Sequence, residues 1–161
     1  MPGFDYHGRH RVLITTCTFD REPLLDETEA ADDVSAQLIA TPISSDIEVT
    51  AYCVMRDHVH AMLTDLTERA HTPTMIKRWK QLTGYRYKQR TGRLLWQGHY
   101  WDRVLRAEDE TLQQVRYVIR NPLIDGAKEL HTYRWLGSTR WSRDDLIEIA
   151  SSNEAPFWWD A

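Results

Sequence analysis

The sequence is poor in cysteine and contains no long apolar run, and these absences exclude several kinds of protein. Its two cysteines, Cys17 and Cys53, both lie in apolar, strand-like stretches, where buried free thiols are expected rather than a disulfide or half of a zinc site. No stretch reaches the roughly 18 apolar residues of a membrane-spanning helix. The N-terminal MPGFDYHGRHR also lacks the apolar segment of a secretory signal. We therefore expect a cytoplasmic protein without a membrane partner.

An overall excess of positive charge is also lacking. The chain has 24 acidic residues against 20 Lys and Arg, a net charge of -4, which at first argues against a nucleic-acid partner because phosphate-binding proteins usually carry excess base. The charges are segregated, however. Residues 20–33 hold seven acids and one base, whereas residues 77–106 hold nine bases and one acid. Segregation of this kind can provide a charged binding face.

Aromatic residues are interleaved with the basic ones between residues 77 and 106. This mixture can stack unpaired nucleobases while neutralising their phosphates, but it also fits a solvated helix face with aromatic residues in the core. The sequence leaves both interpretations open. The residues that we predict to contact nucleic acid are Lys77, Arg78, Lys80, Arg86, Arg93, Trp96, Arg103 and Arg106.

With 161 residues, 42% of them hydrophobic, the chain can form one compact domain but not two. Apolar and alternating stretches predict four strands. These are Arg11–Phe19, Ile47–Met55, His58–Asp65 and Trp101–Arg106, with Arg56 and Asp57 as a hairpin turn. In the second strand, alternation places Ile47, Val49, Ala51, Cys53 and Met55 on one face.

Three helices are predicted between and after these strands. The first spans Leu25–Ala40 and ends before Pro42; the second begins at Thr72 and Pro73, an N-cap and first-turn proline; the third runs from Glu108 to Asn121, where Pro122 stops it. The order predicts an α+β fold, a ferredoxin-like antiparallel sheet with helices on one side and an additional C-terminal helix. Residues 1–135 would form the domain, and residues 136–161 a Trp-rich, loop-like extension packed on it.

The stretch YCVMRDHVHAML carries a His-x-His pair at the start of a predicted strand. Because successive strand residues point to opposite faces, His58 and His60 share one face while Val59, Ala61 and Leu63 share the other. Two imidazoles aimed at one point suit a metal ion, but they leave most of its coordination sphere to other groups. A polar sheet face without a metal is the alternative interpretation.

On the third predicted helix, Tyr117 and Asn121 are four positions apart and therefore lie one turn from each other on the same side. Taken alone, Tyr117 fits a core or surface position. Asn121 directly before Pro122 fits a helix C-cap.

Two blocks of the sequence resemble a known family. YCVMRDHVHAML resembles the His-hydrophobic-His strand of the single-tyrosine HUH transposases, and LLWQGHYWDRVLRAEDETLQQVRYVIRNPLIDGA is similar to the block that follows it in their REP-associated tyrosine transposase branch. Order and spacing match from about Arg11 to Trp135. One departure is the turn, where Arg56-Asp57 stands in place of the usual Pro-Asn.

The resemblance implies a ferredoxin-like domain that binds single-stranded DNA, often as a hairpin, and cuts it with a helix tyrosine. Carried over by position, His58, His60 and Asn121 would be metal ligands and Tyr117 the nucleophile. Neutral nitrogen and oxygen ligands with open positions suit Mg2+ or Mn2+, and without a thiolate they suit zinc less well. Members of the broader family are often dimers that share active sites, whereas the REP-associated branch includes monomers, so the oligomeric state stays open.

The leading hypothesis is thus a metal-dependent DNA transposase that cuts and rejoins single strands through a 5'-phosphotyrosine. A second hypothesis is a catalytically silent protein of the same fold that only binds single-stranded or hairpin DNA. A third is a metal-dependent nuclease that hydrolyses DNA with water and uses Tyr117 only for packing.

Overall fold

A five-stranded antiparallel sheet forms the centre of the protein. The structure, a computed structural model, describes residues 8–105, 108–154, 156 and 159. The strands are β1 (Arg11–Cys17), β2 (Ile47–Val54), β3 (His58–Asp65), β4 (Trp101–Leu105) and β5 (Leu136–Gly137). The helices are α1 (Thr28–Ala40), α2 (Thr72–Thr91), α3 (Glu108–Ile124) and α4 (Arg143–Ser151).

The strand order is β4-β1-β3-β2-β5, and every paired strand is antiparallel to its neighbour. The first four strands have the ferredoxin-like arrangement of two interlocked strand-helix-strand units, which confirms the predicted α+β fold. The fifth strand, β5, pairs with β2 through Tyr52 and Cys53 and was not predicted.

Both faces of the sheet are covered. The two helices of the split βαβ unit lie on one side, as predicted, and the additional helix α3 lies on the other side together with α4, which was not predicted. On the first face, α1 and α2 pack over a core that includes Ile14, Val34 and Trp79. On the second face, α3 and α4 pack over a separate core that includes Met62 and Ile119. The second core exists because α4 supplies fully buried apolar side chains that the sequence analysis assigned to a loop-like extension.

A β-bulge in β2 explains an error in the predicted alternation of this strand. Val49 pairs with Leu63, but the next pair is Ala51 with Met62, so Thr50 is an extra residue that shifts the alternation. Ile47 and Val49 therefore belong to the first core, whereas Ala51, Cys53 and Met55 belong to the second. The five residues do not share one face as predicted.

Two helix ends also differ from the prediction. Pro122 lies inside α3, which continues to Ile124 rather than stopping at Asn121, and the last carbonyls are satisfied by Asp125 N–H to Asn121 O (3.0 Å) and Ala127 N–H to Pro122 O (2.8 Å). A proline near the end of a helix removes one donor but leaves the following residues free to continue. The N-cap of α2 is His71 rather than Thr72, because its side chain accepts from the Thr74 N–H.

The region after Leu130 is more ordered than predicted. Helix α4 begins with a capping box in which Ser142 and Asp145 exchange side-chain to backbone hydrogen bonds. It packs against α3. The division of the chain at residue 135 remains a prediction.

The hairpin turn follows the prediction, and of the two cysteines Cys53 is buried as predicted, whereas Cys17 is only half-buried. The N–H of Met55 donates to the carbonyl of His58 at 2.8 Å, which closes the Arg56-Asp57 turn. Cys17 and Cys53 are both free thiols. Within the described part of the chain, no helix has the length and apolar character needed to cross a membrane.

Candidate active site

The two histidines of β3 converge on one point above the second face of the sheet. His58 follows the hairpin turn directly, and the Nε2 atoms of His58 and His60 lie 3.1 Å apart. Their rings meet edge to face with centroids 4.7 Å apart. The alternation of β3 places Val59, Ala61 and Leu63 in the first core, as predicted.

Each imidazole contacts a second residue through its Nδ1 atom, on the side of the ring away from the other histidine. His58 Nδ1 lies 2.6 Å from Asp57 Oδ1, and His60 Nδ1 lies 2.8 Å from Thr15 Oγ1. Partners of this kind fix the ring orientation and tautomer of a metal-binding histidine. Neither partner was predicted. Asp57 was visible as a carboxylate directly before His58, but Thr15 faces His60 only through the β1–β3 register.

A third residue, Arg21, supports this arrangement. Its Nε lies 3.0 Å from Asp57 Oδ2. Arg21 and the preceding Asp20 both have left-handed backbone conformations, with φ values of 57° and 51°. Such a conformation costs about 1–2 kcal/mol per residue that has a side chain. Strain of this kind is often retained at functional sites.

His60 is buried and is kept neutral by its surroundings. Burial lowers the pKa of His60 to about 4, with a further contribution from the neighbouring His58. Near neutral pH the ring therefore carries no charge and can offer a nitrogen lone pair. At an Nε2–Nε2 distance of 3.1 Å, the two nitrogens either share one proton in a hydrogen bond or both point at a cation.

Helix α3 brings Tyr117 to the histidines. The Tyr117 ring contacts the His60 ring at a centroid distance of 5.2 Å and an interplanar angle of 69°. Tyr117 remains 43% exposed, so the residue is open to a large substrate. Asn121 lies one turn further along α3 and is buried, and its Nδ2 donates to the Tyr117 carbonyl at 2.7 Å. The structure thus brings His58, His60 and Tyr117 together and places Asn121 on the same helix as the tyrosine.

The donor set at this point fits a divalent cation with open positions. Two nitrogens in adjacent positions of an octahedral ion with bonds of about 2.1 Å lie roughly 3.0 Å apart, close to the 3.1 Å seen between the Nε2 atoms. The side-chain nitrogen of Asn121 donates a hydrogen bond to the Tyr117 carbonyl. The side-chain oxygen of Asn121 is therefore the atom that could face a cation. No group of three His, Cys, Asp or Glu side chains suited to metal binding occurs among the described residues. Amide, water or substrate oxygens could supply further ligands.

Comparison with known proteins identifies the family. The family model described as "Transposase IS200 like" matches residues 7–121, most of the chain, and this range includes all four candidate site residues. The chain belongs to the IS200-like transposase family.

Two solved structures are similar to this family member. A REP-associated tyrosine transposase bound to a REP hairpin superposes with a TM-score of 0.74 at 18% sequence identity, covering 98% of this chain and 96% of that one. A candidate transposase from Deinococcus radiodurans R1 gives a TM-score of 0.52 at 24% identity, covering 75% of this chain and 95% of that one. At these identities the similarity establishes the fold. A search of curated proteins gives no match.

Two of the residues predicted to bind nucleic acid serve the fold of this IS200-like transposase instead. Trp96 is buried in the first core, and its Nε1 donates to Thr83 Oγ1 at 2.9 Å, so its ring is not available for stacking on a base. Lys80 is half-buried and donates from Nζ to the Gln97 and His99 carbonyls at 2.9 and 3.1 Å. Burial lowers the pKa of Lys80 to about 8.

The segregated charges of the family member partly neutralise each other. Arg86 Nη1 lies 2.6 Å from Asp33 Oδ1, and Arg93 forms an ion pair with Glu22. The acidic segment that precedes and forms α1 is therefore a partner of the basic segment in and after α2. The fold therefore brings the two segments together and partly neutralises Arg86 and Arg93, and contact of these two residues with nucleic acid stays a prediction.

The other predicted contacts have different positions. Lys77 and Arg78 are exposed on α2, and Arg103 is exposed on β4. Arg106 lies outside the described residues. Of these, Arg103 is the one that the structure places near Tyr117, in an open groove between β4 and α3.

This groove has a volume of about 430 Å³. The side chains that line it include Thr15, Trp101, Arg103, Gln113, Gln114 and Tyr117. The sequence analysis did not assign Trp101, Gln113 or Gln114 to the site. The sequence showed that these residues lie next to apolar residues of β4 and α3. Their position beside Tyr117 depends on how α3 crosses the sheet.

Proposed function

We propose that this transposase cuts and rejoins single-stranded DNA, often folded as a hairpin, through a covalent bond to Tyr117. The observation that carries the proposal is the contact of the Tyr117 ring with His60, 5.2 Å between centroids, beside two imidazole nitrogens 3.1 Å apart. These contacts support the proposal because they would set a nucleophile beside a metal-binding pair. Membership of the IS200-like family supports the same chemistry.

In the first step, the Tyr117 hydroxyl oxygen attacks the scissile phosphorus. A bond forms between phosphorus and the phenol oxygen, and the bond to the 3'-oxygen of the preceding nucleotide breaks. The phenol proton is lost to water and the departing 3'-oxygen gains a proton, so the products are a 5'-phosphotyrosine and a free 3'-hydroxyl. One phosphodiester is exchanged for another, so a 3'-hydroxyl can later reverse the step and rejoin the strand.

The protein has to compensate for a weak nucleophile, because a phenol with an ordinary pKa of about 10 is mostly protonated near pH 7. When bound, Mg2+ or Mn2+ would withdraw charge from the phosphate oxygens and make the phosphorus easier to attack. His58, His60 and the Asn121 carboxamide oxygen would hold the ion. Because Asn121 is anchored to the Tyr117 carbonyl, the nucleophile and this ligand are positioned by one rigid helix.

The proposed substrate follows from the fold and from the shape of the site. The similar REP-associated tyrosine transposase is bound to a REP hairpin, which supports hairpin DNA as the ligand here. Tyr117 lies in an open groove rather than in a closed pocket, so it can reach a phosphate within a polymer.

The test is the substitution Tyr117→Phe, with Tyr85→Phe as a matched control. Tyr85 is 64% exposed on α2, away from the histidines. Each protein is incubated with hairpin oligonucleotides and Mg2+ or Mn2+ and separated on a denaturing gel. A 3' label on the DNA should shift with the wild-type and Tyr85→Phe proteins and not with Tyr117→Phe, whereas a 5' label should appear on a shortened strand with a free 3'-hydroxyl.

The other outcomes separate the competing functions. An adduct that persists in Tyr117→Phe would show that another residue is the nucleophile. Cutting without any adduct would indicate hydrolysis by water. Tight, salt-dependent binding without cutting under either ion would indicate a protein that binds single-stranded or hairpin DNA without catalysis.

A further inference from the structure

Trp101 is a large apolar side chain left in solvent beside the candidate active site. The residue is 55% exposed, although it belongs to a strand of the central sheet. It begins β4, which is the edge strand next to β1. Alternation along β4 puts Trp101 and Arg103 on the same face as Leu105, which belongs to the second core, so both side chains lie on the side of the sheet that carries the histidines.

The register of the sheet ties Trp101 to the site. Trp101 pairs with Thr15 across β1 and β4, and Thr15 pairs with His60 across β1 and β3. The hydroxyl of Thr15 lies 2.8 Å from His60 Nδ1. The indole is thus two strands from an imidazole of the candidate metal pair, along one row of the sheet.

The groove between β4 and α3 connects Trp101 to Tyr117. Both rings line it, together with Arg103 and the amides of Gln113 and Gln114. Its volume of about 430 Å³ lies within the range of small-molecule sites, roughly 300–1,000 Å³, and is too small for a duplex. Its lining therefore offers an aromatic face, a cation and hydrogen-bonding amides beside the proposed nucleophile.

These groups match the chemistry of one unpaired nucleotide. An exposed indole stacks on any nucleobase, a guanidinium pairs with phosphate, and carboxamides can hydrogen-bond to base edges. We propose that this groove binds the nucleotide next to the scissile phosphate, with its base stacked on Trp101. This inference rests on the proposed function, since it takes the phosphate attacked by Tyr117 as its reference point.

The test is a binding cycle that does not require cleavage. The parent protein carries Tyr117→Phe so that the DNA stays intact, and the probe is the hairpin oligonucleotide that it binds most tightly from a pool with randomised single-stranded flanks. Each flanking nucleotide is then replaced in turn by an abasic site. Dissociation constants are measured by fluorescence anisotropy for the parent and for Trp101→Ala, Trp101→Phe and Tyr85→Ala.

Loss of one stacked base weakens binding by about 5- to 150-fold, from stacking energies of about 1–3 kcal/mol. We expect Trp101→Ala to weaken binding of the intact probe by a factor in this range. One abasic position should weaken binding to the parent by a similar factor and should have less than a twofold effect in Trp101→Ala. Trp101→Phe should retain most of the affinity, and Tyr85→Ala should match the parent.

Binding of the intact probe by Trp101→Ala within twofold of the parent would overturn the inference. The inference would also be overturned if, at every abasic position, the loss of affinity in the Trp101→Ala protein equalled the sum of the two separate losses, because no base would then be coupled to Trp101. Matching circular dichroism and thermal unfolding of the variants separates these results from misfolding, and Trp101→Phe keeps the strand residue aromatic. The adduct assay with wild-type protein separates the two proposals: an adduct without this coupling refutes only the Trp101 contact, and coupling without an adduct refutes only the catalysis.

Discussion

At the scale of single residues, the site depends on two side chains that need not touch the substrate. Asp57 can accept a hydrogen bond from His58 Nδ1–H at 2.6 Å, and the Thr15 hydroxyl can accept one from His60 Nδ1–H at 2.8 Å. With the Nδ1 protons held in this way, both Nε2 atoms would present lone pairs to a bound ion. In the proposed metal site, the negative charge of Asp57 would make the His58 ring a stronger ligand.

The substitution Asp57→Asn should therefore weaken metal binding. The amide keeps the size of the side chain but removes the charge and the ion pair with Arg21, and loss of such a partner typically costs about 10- to 100-fold in metal affinity. The affinity of each protein for Mn2+ is measured by titration calorimetry. Asp26→Asn is the matched control because Asp26 pairs with Arg56 at 3.2 Å in the same hairpin region. Equal affinities for Asp57→Asn and the wild type would show that Asp57 has no part in binding the ion.

The placement of site residues could be predicted from the sequence where it depends on the spacing of residues within one strand or helix. His58 and His60 alternate with core residues, and Tyr117 and Asn121 are one helical turn apart, so both pairs followed from spacing and from the family resemblance. Trp96 and Lys80 were misassigned because their partners, Thr83 Oγ1 and the Gln97 and His99 carbonyls, depend on how α2 packs against the segment that follows it. Burial of an aromatic or a lysine is decided by tertiary contacts, which composition does not encode.

At the scale of elements, the position of Tyr117 depends on how α3 is fixed to α4. Arg120 donates from Nε and Nη2 to the Ala150 and Ser152 carbonyls, and Arg116 donates to the carbonyls of Ile149, Asn153 and Glu154. These carbonyls lie at and beyond the C-terminal end of α4, where unpaired acceptors and the helix dipole favour a cation. Two arginines of the tyrosine helix thus cap its neighbour.

Replacing Arg120 with methionine should lower stability and loosen this attachment. Methionine keeps the apolar stem but removes both hydrogen bonds, and hydrogen bonds to a charged group are worth about 1.5–3 kcal/mol each. We expect a lower midpoint of thermal unfolding and a lower yield of the covalent adduct. Lys128→Met, at an exposed position just after α3, is the control and should leave the midpoint unchanged. An unchanged midpoint in Arg120→Met would mean that the contact adds nothing to the stability of the fold.

Element boundaries were predicted less well than element types. The alternation of β2 was visible, but the extra residue at Thr50 was not, and one bulge was enough to move Ala51, Cys53 and Met55 to the other core. Pro122 was expected to end α3, yet the helix continues to Ile124 because the proline lies in its last turn. Bulges and late prolines are settled by packing against neighbouring elements, which a single sequence does not reveal.

At the scale of the whole molecule, charge segregation has a structural use. The acids of α1 and its approach pair with bases in and after α2, as in Asp33 with Arg86 and Glu22 with Arg93. Exposed pairs such as these contribute little stability individually, but they reduce the field that the basic segment would present. The inferred DNA-binding groove accordingly lies on the opposite face of the sheet, where Arg103 and Trp101 flank Tyr117.

The last question at this scale is whether residues 1–135 form a domain by themselves. The family model ends at residue 121, but β5 pairs with β2, and the second core includes Leu136, Leu146, Ile147 and Ile149. Burying four such side chains is worth roughly 6–12 kcal/mol as an upper bound. This equals much of the total stability of a typical domain, about 5–15 kcal/mol.

A chain ending at Trp135 should therefore fail to fold as a unit. Without α4, Val115, Val118 and Ile119 of α3 lose a covering layer that keeps them fully buried, and Arg116 and Arg120 lose their acceptors. We expect a broad, non-cooperative thermal transition, dye binding to exposed apolar surface and association on size exclusion. A chain ending at Glu154 keeps β5, α4 and those acceptors, and it should unfold cooperatively. Cooperative unfolding of the chain that ends at Trp135, as a monomer, would instead show that the first 135 residues are an independent domain.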